Sequence, residues 1–600
     1  MKILGLVTKT HDTGAAIVVD GQPVAVMEEE RFNRDKHTQL FPSAALDAAL
    51  ETAGLKLSDI DVVVTPWDVV QLRRSFREIV LGQVPASLNL LRPAAHAAQN
   101  SGIVFLHQRL RQGLRRHLNE KGAPDIPIVD VAHHDAHAAI YFMSPFETAA
   151  VAVMDGYGDL GATSTYIGTG DRLERQWSGG FFDSLGALYT SVTAYLGFKI
   201  FEEGTVMALA ACGGSTLTDA FQKLVHFKDD GRFSLNPEYI SFQTHGLVQP
   251  FTPRFYEEFG PARAHGEPLT DRHRDIAAAL QHLTEDVVLH VVRALEPLTS
   301  SRNICITGGV ALNCVANARV LRDTKFERVW VPPCASDTGA TLGAALWHAH
   351  QTNGTPRWGV MTHPYFGKSY TASEIEAALH RAGLTWTELD DDALFAQVSE
   401  DLAAKRIVGW FQGRYEIGPR ALGNRSILAD PRDNSIKDKL NAKIKEREPF
   451  RPFAPAVLAE RAGDFFEISQ PDPFMTLAPR VHPDRVADIP AAVHVDGTAR
   501  IQTVDRDASP RFHALIKAFG DRTGVPVLLN TSFNRQEPVV ASPDHAINCY
   551  LRTRMDVLVL NNHYVTDRSA SAEQSAEAIF ASQQAALAKR LVRWRQFLET

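Results

Sequence analysis

The 600-residue sequence predicts an α/β protein of two domains, the first of them internally duplicated. Three observations carry that expectation. The chain is longer than one hydrophobic core ordinarily serves. A strand–turn–strand–turn–strand pattern occurs twice in its first third. Apolar strands that end in glycine or small polar residues and then feed helices follow it, which is the α/β signature.

The first copy is KILGLVTKTHDTGAAIVVDGQPVAVMEEE (2–30) and the second AAVAVMDGYGDLGATSTYIGTGDRLERQWSG (149–179). Each is an apolar strand, a turn with acid and glycine, a second strand, a D-G or TGD hairpin turn and a third strand. A duplicated β-β-β unit with an acid-bearing first turn is the layout of the actin-like, sugar-kinase-like ATPase fold, whose two turns face a cleft and hold nucleotide phosphates. NICITGGVALNCVANARVL (303–321) adds a strand that ends in Gly308-Gly309 and feeds a helix, so that a ligand can approach the backbone. VWVPPCASDTGATLGAALWHA (329–349) is a further strand and helix, with Asp337 near the helix start. Composition shifts to Gly, Pro, Thr and aromatics around 350–372. The expected boundaries are a first domain over 1–355, a junction over 356–372, a second α/β domain over 373–568 and a helical tail over 569–600. The tail packs on the body or on a partner copy, which leaves a homodimer open. The polar, Pro-rich stretch 467–497 is expected as a surface excursion.

Apolar residues make up 44% and charged residues 22%, with a net charge of −8, which disfavours nucleic acid as a partner. The five cysteines never show C-x-x-C spacing and read as reduced thiols of a cytoplasmic protein. The N-terminus lacks the apolar core of a signal peptide, and no stretch reaches the roughly 18 apolar residues of a membrane span.

DVAHHDAHAAIYF (130–142) places His133 and His137 one helical turn apart, on one face. Asp155 ends the strand of the second repeat and Asp337 opens SDTG. Two imidazoles and two carboxylates make a mixed N/O shell suited to Fe(II), Mn or Zn with an open position. His11 and Asp12 lie in the first phosphate-type turn, and Arg31, Lys36 and His37 follow the first hairpin, where cations suit an anionic substrate. GRYEIGPRALGNRSILADPRDNSIKDKLNAKIKEREPFRPFAP (413–455) is densest, with Arg414, Arg420, Arg425, Lys439, Lys443, Arg447 and Arg451. Ile436, Leu440 and Ile444 mark the buried stripe of a helix, with Lys439, Lys443 and Arg447 as a parallel row. Prolines around Arg420 and Arg451 fix the backbone, which favours bidentate recognition of phosphate or carboxylate. VPVLLNTSFNRQEPVV (525–540) is a buried strand ending in Asn530, Thr531, Ser532 and Asn534.

Together HDTGAAIVVDG…EEERFNRDKH, HHDAHAA, SLGALYTSVTAYLGF, TGGVALN, SDTGA, GRYEIGPRALGNRSILADPR, KIKEREPFRPFAP and LLNTSFN resemble the nodulation- and antibiotic-type O-carbamoyltransferases over about residues 2–566. The resemblance implies a Kae1-like ATPase-type domain followed by a YrdC-like domain. It implies that carbamoyl phosphate and ATP (with Mg) form carbamoyl-adenylate in the second domain. A metal, Fe(II) first among the candidates, then assists carbamoyl transfer to a small-molecule alcohol in the first. It implies His133, His137, Asp155 and Asp337 as metal ligands. Arg414, Arg420, Arg425, Lys443, Arg447, Arg451, Asn530 and Ser532 would hold carbamoyl phosphate and ATP. Gly308, Gly309 and Asn313 would contact the adenylate, and His11, Asp12, Lys36 and His37 would serve transfer, with His11 or His37 as base. Two positions depart from the family: Thr205 where a lysine is usual, and Asp135 where an apolar residue is usual. A tRNA threonylcarbamoyl-transfer enzyme would need a basic RNA surface. A hydrogenase-maturation carbamoyltransferase would carry an acylphosphatase domain and C-x-x-C fingers, absent from this sequence. A nucleotide-binding sensor on the same scaffold would not need the arginine-rich segment.

Overall fold

A computed structural model describes residues 1–8, 10–91, 103–123 and 125–568. The expected helical tail, 569–600, lies outside the described residues. The chain forms two compact units. Of the described residues, the first takes 1–8, 16–23 and those within 55–360, and the second 10–15, 24–54 and 361–568. The segment carrying His11, Asp12, Lys36 and His37 thus clusters with the second unit.

The duplication read in the sequence is visible as two sheets of the same strand order. In the first, β1 (Lys2–Val7), β2 (Gly14–Val19), β3 (Gln22–Glu28), β4 (Val62–Thr65) and β5 (Ile128–Asp130) are ordered β3-β2-β1-β4-β5. The second is built from β6 (Thr148–Met154), β7 (Thr163–Thr169) and β8 (Arg172–Ser178), joined after a small hairpin of β9 (Val225–Phe227) and β10 (Phe233–Leu235) by β11 (Asn303–Thr307) and β12 (Arg328–Trp330). Its order is β8-β7-β6-β11-β12. Strands β6, β7 and β8 are antiparallel, while β11 joins β6, and β12 joins β11, in parallel. The fold is mixed α/β, as the sequence predicts.

Glycines let the ligand-bearing elements of this unit touch. The helix Asp337–Leu346 runs past β1 and past the helix His133–Ala138. A Cβ on Gly343 would fall 1.8 Å from the Ala136 carbonyl oxygen, and one on Gly5 would fall 2.0 Å from that of Thr341. Only the missing side chains permit these approaches.

The second unit is built on eight strands: β13 (Thr387–Glu388), β14 (Val408–Phe411), β15 (Arg425–Ala429), β16 (Ala454–Leu458), β17 (Gln502–Val504), β18 (Val527–Ser532), β19 (Val557–Leu560) and β20 (His563–Val565). Their order is β13-β20-β19-β14-β15-β18-β16-β17, with β14–β19 and β16–β17 parallel and the other pairs antiparallel. Successive residues of a strand serve opposite faces. Leu558 and Leu560 join the cluster made with the helices Ala372–Arg381 and Pro543–Arg552, whereas Val557 and Val559 join the one made with Asp391–Ala403 and Pro510–Thr523. The stripe Ile436, Leu440 and Ile444 is buried in the first of these clusters, as its spacing predicts. The stretch 467–497 is less superficial than expected: it buries Phe474, Met475, Leu477, Ile489 and Ala491.

Candidate functional site

The motif DVAHHDAHAA folds as β5, a two-residue link and the short helix His133–Ala138. His133 and His137 therefore point the same way, as their spacing predicts. Asp155 follows β6 directly, and Asp337 begins its helix. The four side chains are buried and converge. His133 Nε2 lies 3.3 Å from His137 Nε2, 3.2 Å from Asp155 Oδ2 and 3.5 Å from Asp337 Oδ1. His137 Nε2 lies 3.7 Å from Asp155 Oδ2 and 3.5 Å from Asp337 Oδ1. Donors about 2.1 Å from a common ion stand about 3.4 Å apart at tetrahedral corners, so these edges are of the length a coordination shell would have. Two imidazole nitrogens and two carboxylates form a donor set of the type that suits a divalent cation.

The ring of His133 is oriented from behind. Its Nδ1 meets the Pro66 carbonyl at 3.1 Å, and the Trp67 ring stacks on it at 4.1 Å. A backbone acceptor on Nδ1 would leave Nε2 free to face an ion. Asp155 Oδ1 accepts the Gly309 N–H at 2.7 Å. Burial opposes a charged His133, but Asp337 and Asp155 outweigh it and hold its pKa well above 6.5. Burial likewise pushes Asp155 up, but hydrogen bonding to His133 and the neighbouring His137 bring it down to about 2.

Gly308 adopts φ +88°, and a short turn over Gly309–Leu312 intervenes before the helix Cys314–Asp323. Asn313 is committed: its amide exchanges hydrogen bonds with Gln281, at 2.9 and 3.1 Å, and caps Ala316 N–H at 3.1 Å. Gln281 had no local signal in the sequence. Asp135 accepts from Tyr166 OH at 2.8 Å and from Arg175, so it serves the packing of β7 and β8. Thr205 is buried in the helix Glu203–Ala210.

In the second unit, His37 Nδ1 lies 2.7 Å from Asp12 Oδ1, and His11 Nδ1 lies 3.1 Å from Asp12 Oδ2. Burial would raise Asp12, but the two histidines hold it well below the usual carboxylate range. Lys36 is exposed next to His37 in the chain. Arg31 is wholly buried and bonded to Glu28 at 2.6 Å and the Gly418 carbonyl at 2.7 Å, while its Nη1 has no hydrogen-bond partner.

The arginine-rich segment divides into two groups. Arg414 gives its donors to the carbonyls of Gly367, Val24 and Phe366, and Arg425 to those of Gln412, Asn424, Gly413 and Ala541, with its guanidinium over the Phe411 ring. Both act as mortar between loops. Arg420 is half-buried after Pro419, and Lys443 is exposed. The second group is cationic. Lys445 is buried and donates to the carbonyl and Oγ of Ser532 and to the carbonyl and Oδ1 of Asn534. Burial, then Arg447, drives its pKa well below 10.5. Arg447 bonds Asn441 Oδ1 at 2.7 Å, and burial, then Arg451 and Arg500, depress its pKa as well. Asn530 Nδ2 reaches Ala421 and Gln502, while its Oδ1 is buried with no hydrogen-bond partner. The sequence reading missed Lys445 and Arg500. The helix Ser435–Leu440 widens into a looser turn over Asn441–Lys445, in which Lys445 is buried beside Ile444 while Lys443 is exposed.

Like charges crowded in a buried setting cost free energy that an anion offsets. The second unit therefore brings together cations of the kind an anion would suit, and the first a donor set of the kind a divalent cation would suit. No helix among the described residues is long and apolar enough to cross a membrane.

Comparisons with known proteins bear on both units. Residues 2–346 match the model described as Carbamoyltransferase N-terminus, and 399–567 the model described as Carbamoyltransferase C-terminus. The uncharacterized protein sll1178 of Synechocystis sp. is 40% identical over 93% of this chain and 96% of its own length. Nodulation protein NolNO of Sinorhizobium fredii is 36% identical over 94% of this chain and 80% of its own length. Among solved structures, the activator of the 2-hydroxyisocaproyl-CoA dehydratase from Clostridium difficile aligns at 14% identity and TM-score 0.28, covering 59% of this chain and 96% of that one.

Proposed function

Since the chain belongs to the carbamoyltransferase family, we propose that it makes carbamoyl-adenylate from carbamoyl phosphate and ATP and passes the carbamoyl group to a hydroxyl of a small-molecule acceptor. The observation that carries this reading is the convergence of His133, His137, Asp155 and Asp337 in a family that moves a carbamoyl group.

Activation belongs to the second unit in this reading. Bringing carbamoyl phosphate to ATP concentrates negative charge, and Lys445, Arg447, Arg451 and Arg500 are the cations that offset it. Ser532, Asn534 and Asn530 supply the polar edge. Carbamoyl-adenylate forms with consumption of one water and release of phosphate and pyrophosphate. Transfer then requires a polarised carbonyl and removal of the hydroxyl proton. His133, His137, Asp155 and Asp337 would hold a divalent ion, Fe(II), Mn or Zn, that supplies Lewis acidity at the carbonyl when bound. Asp12 fixes the Nδ1 of His37, as of His11, so that Nε2 takes the proton from the acceptor hydroxyl. The oxygen then bonds to the carbamoyl carbon and AMP departs.

The test is pyrophosphate release from ATP that depends on carbamoyl phosphate, followed by mass spectrometry of candidate alcohols for the mass of an added carbamoyl group. Loss of the pyrophosphate signal in Arg451→Ala is expected. Release of pyrophosphate without carbamoyl phosphate, or none at all, would overturn the reading in favour of a nucleotide-binding role.

A further inference from the structure

We propose that Asp159 is the positioning residue of the metal cage: its carboxylate fixes His133 at once through the backbone and through the ring. Resting on the metal-site reading above, this assigns a role to a buried acid that touches neither ion nor substrate.

Asp159 is fully buried, and no lysine or arginine pairs with it among the described residues. A carboxylate in that setting is costly unless its oxygens accept hydrogen bonds. Oδ2 accepts two, from the backbone N–H of His133 at 2.9 Å and of Asp68 at 2.7 Å, while Oδ1 is buried without a hydrogen-bond partner. His133 is the first residue of its helix, and the preceding Ala132 has no side chain that could cap it. The first N–H groups of a helix have no partner within it. Asp159 supplies the missing acceptor from another segment and so sets where the helix bearing both histidines begins.

The bond to Asp68 reaches the same imidazole by a second route. Asp68 follows Pro66, whose carbonyl meets His133 Nδ1 at 3.1 Å, and Trp67, whose ring stacks on His133 at 4.1 Å. The segment that orients the ring is thus hung on the oxygen that holds the backbone. The main-chain carbonyl of Asp159 also accepts Ser75 Oγ, at 2.7 Å, from the helix Val69–Gly82.

Asp159 and the ligand Asp155 sit in one turn. Asp155 N–H bonds the Ala162 carbonyl at 3.0 Å, and Gly158 N–H bonds that of Gly161 at 2.7 Å. Asp155 enters the cage from the start of this turn while Asp159 anchors the histidine helix from its middle. The distance between His133 and Asp155 is therefore held by one short stretch of chain.

The test is Co(II) titrated into metal-free full-length protein, read by affinity and by the ligand-field bands in the visible spectrum. Asp159→Ala is expected to bind about tenfold to hundredfold more weakly, with shifted bands. Asp159→Asn, which keeps an acceptor oxygen in place, is expected to restore wild-type affinity and bands. Asp159→Glu keeps the charge but displaces the oxygen by about 1.5 Å and is expected to behave like the alanine variant. If Asp159→Ala does not fold, the Asn and Glu pair decides: wild-type binding by the Asn variant with weakened binding by the Glu variant supports the assignment, and any other pairing overturns it. Unchanged Co(II) affinity and bands in Asp159→Ala would also overturn it. Absence of Co(II) binding by the wild type would instead sink the metal-site reading, which keeps the two failures apart.

Discussion

Lys445 binds four oxygens, none of them a carboxylate, inside a cluster of arginines. On the reading that this cluster takes phosphate, Lys445→Met is expected to reduce carbamoyl phosphate-dependent pyrophosphate release at least about tenfold, while exposed Lys443→Ala changes it less than about twofold. Steady-state pyrophosphate assays check both. A second prediction concerns His133. Its folded pKa lies well above 6.5 because Asp337 and Asp155 outweigh burial. Its contribution to the stability of metal-free protein is then complete below an unfolded value of about 6.5 and is lost as pH rises through the raised folded value. The melting temperature of metal-free protein should fall across that window, and a bound divalent ion should reverse the trend, because it requires the neutral ring. Differential scanning calorimetry at stepped pH with and without Mn(II) reads this. At this scale the sequence displayed the four cage residues, since an i, i+4 histidine pair, a strand-end acid and a helix-start acid are local patterns. It hid the fate of Arg414 and Arg425, because their acceptors at residues such as Gly367 and Ala541 are distant in the chain.

Elements bring these residues together by close approach. Gly343 lets the helix Asp337–Leu346 lie against Ala136, the residue before His137, at a distance that no other residue tolerates. Gly343→Ala is expected to cost about 3 kcal/mol of stability by overpacking and to loosen metal binding as the helices part. A lowered melting temperature together with a lowered Mn(II) affinity is the expected pair of results. The sequence announced the helix but gave no sign that Gly343 sat at a crossing, because alanine and glycine were equally admissible in so small-residue a stretch. The widened turn at Asn441–Lys445 was hidden for a similar reason: the spacing of Ile436, Leu440 and Ile444 is regular, and a change of winding inside it leaves no mark on the apolar pattern.

For the whole molecule, the twin sheets were legible because a repeated strand–turn pattern survives in the sequence even when its residues differ. The path of residues 10–15 and 24–54 into the second unit was not, since strands β2 and β3 read alike whichever unit their ends join. The cage lies in one unit and the cationic cluster in the other, which yields a prediction about separable activities. Asp337→Ala is expected to abolish carbamoylation of the acceptor while carbamoyl phosphate-dependent pyrophosphate release persists within about threefold, reading the two steps as independent free-energy losses. Lys445→Met should lose both. Parallel assays of pyrophosphate and carbamoylated product on the two variants make the comparison.

Gly309 owns a single amide hydrogen, and Asp155 has claimed it. A visitor to that loop that takes the hydrogen for itself leaves the carboxylate more basic and a firmer ligand. Thermodynamic reciprocity then obliges an ion held by Asp155 to improve the loop's grip on the same visitor. A ligand at that loop and an ion at Asp155 would thereby be coupled through one hydrogen bond of 2.7 Å.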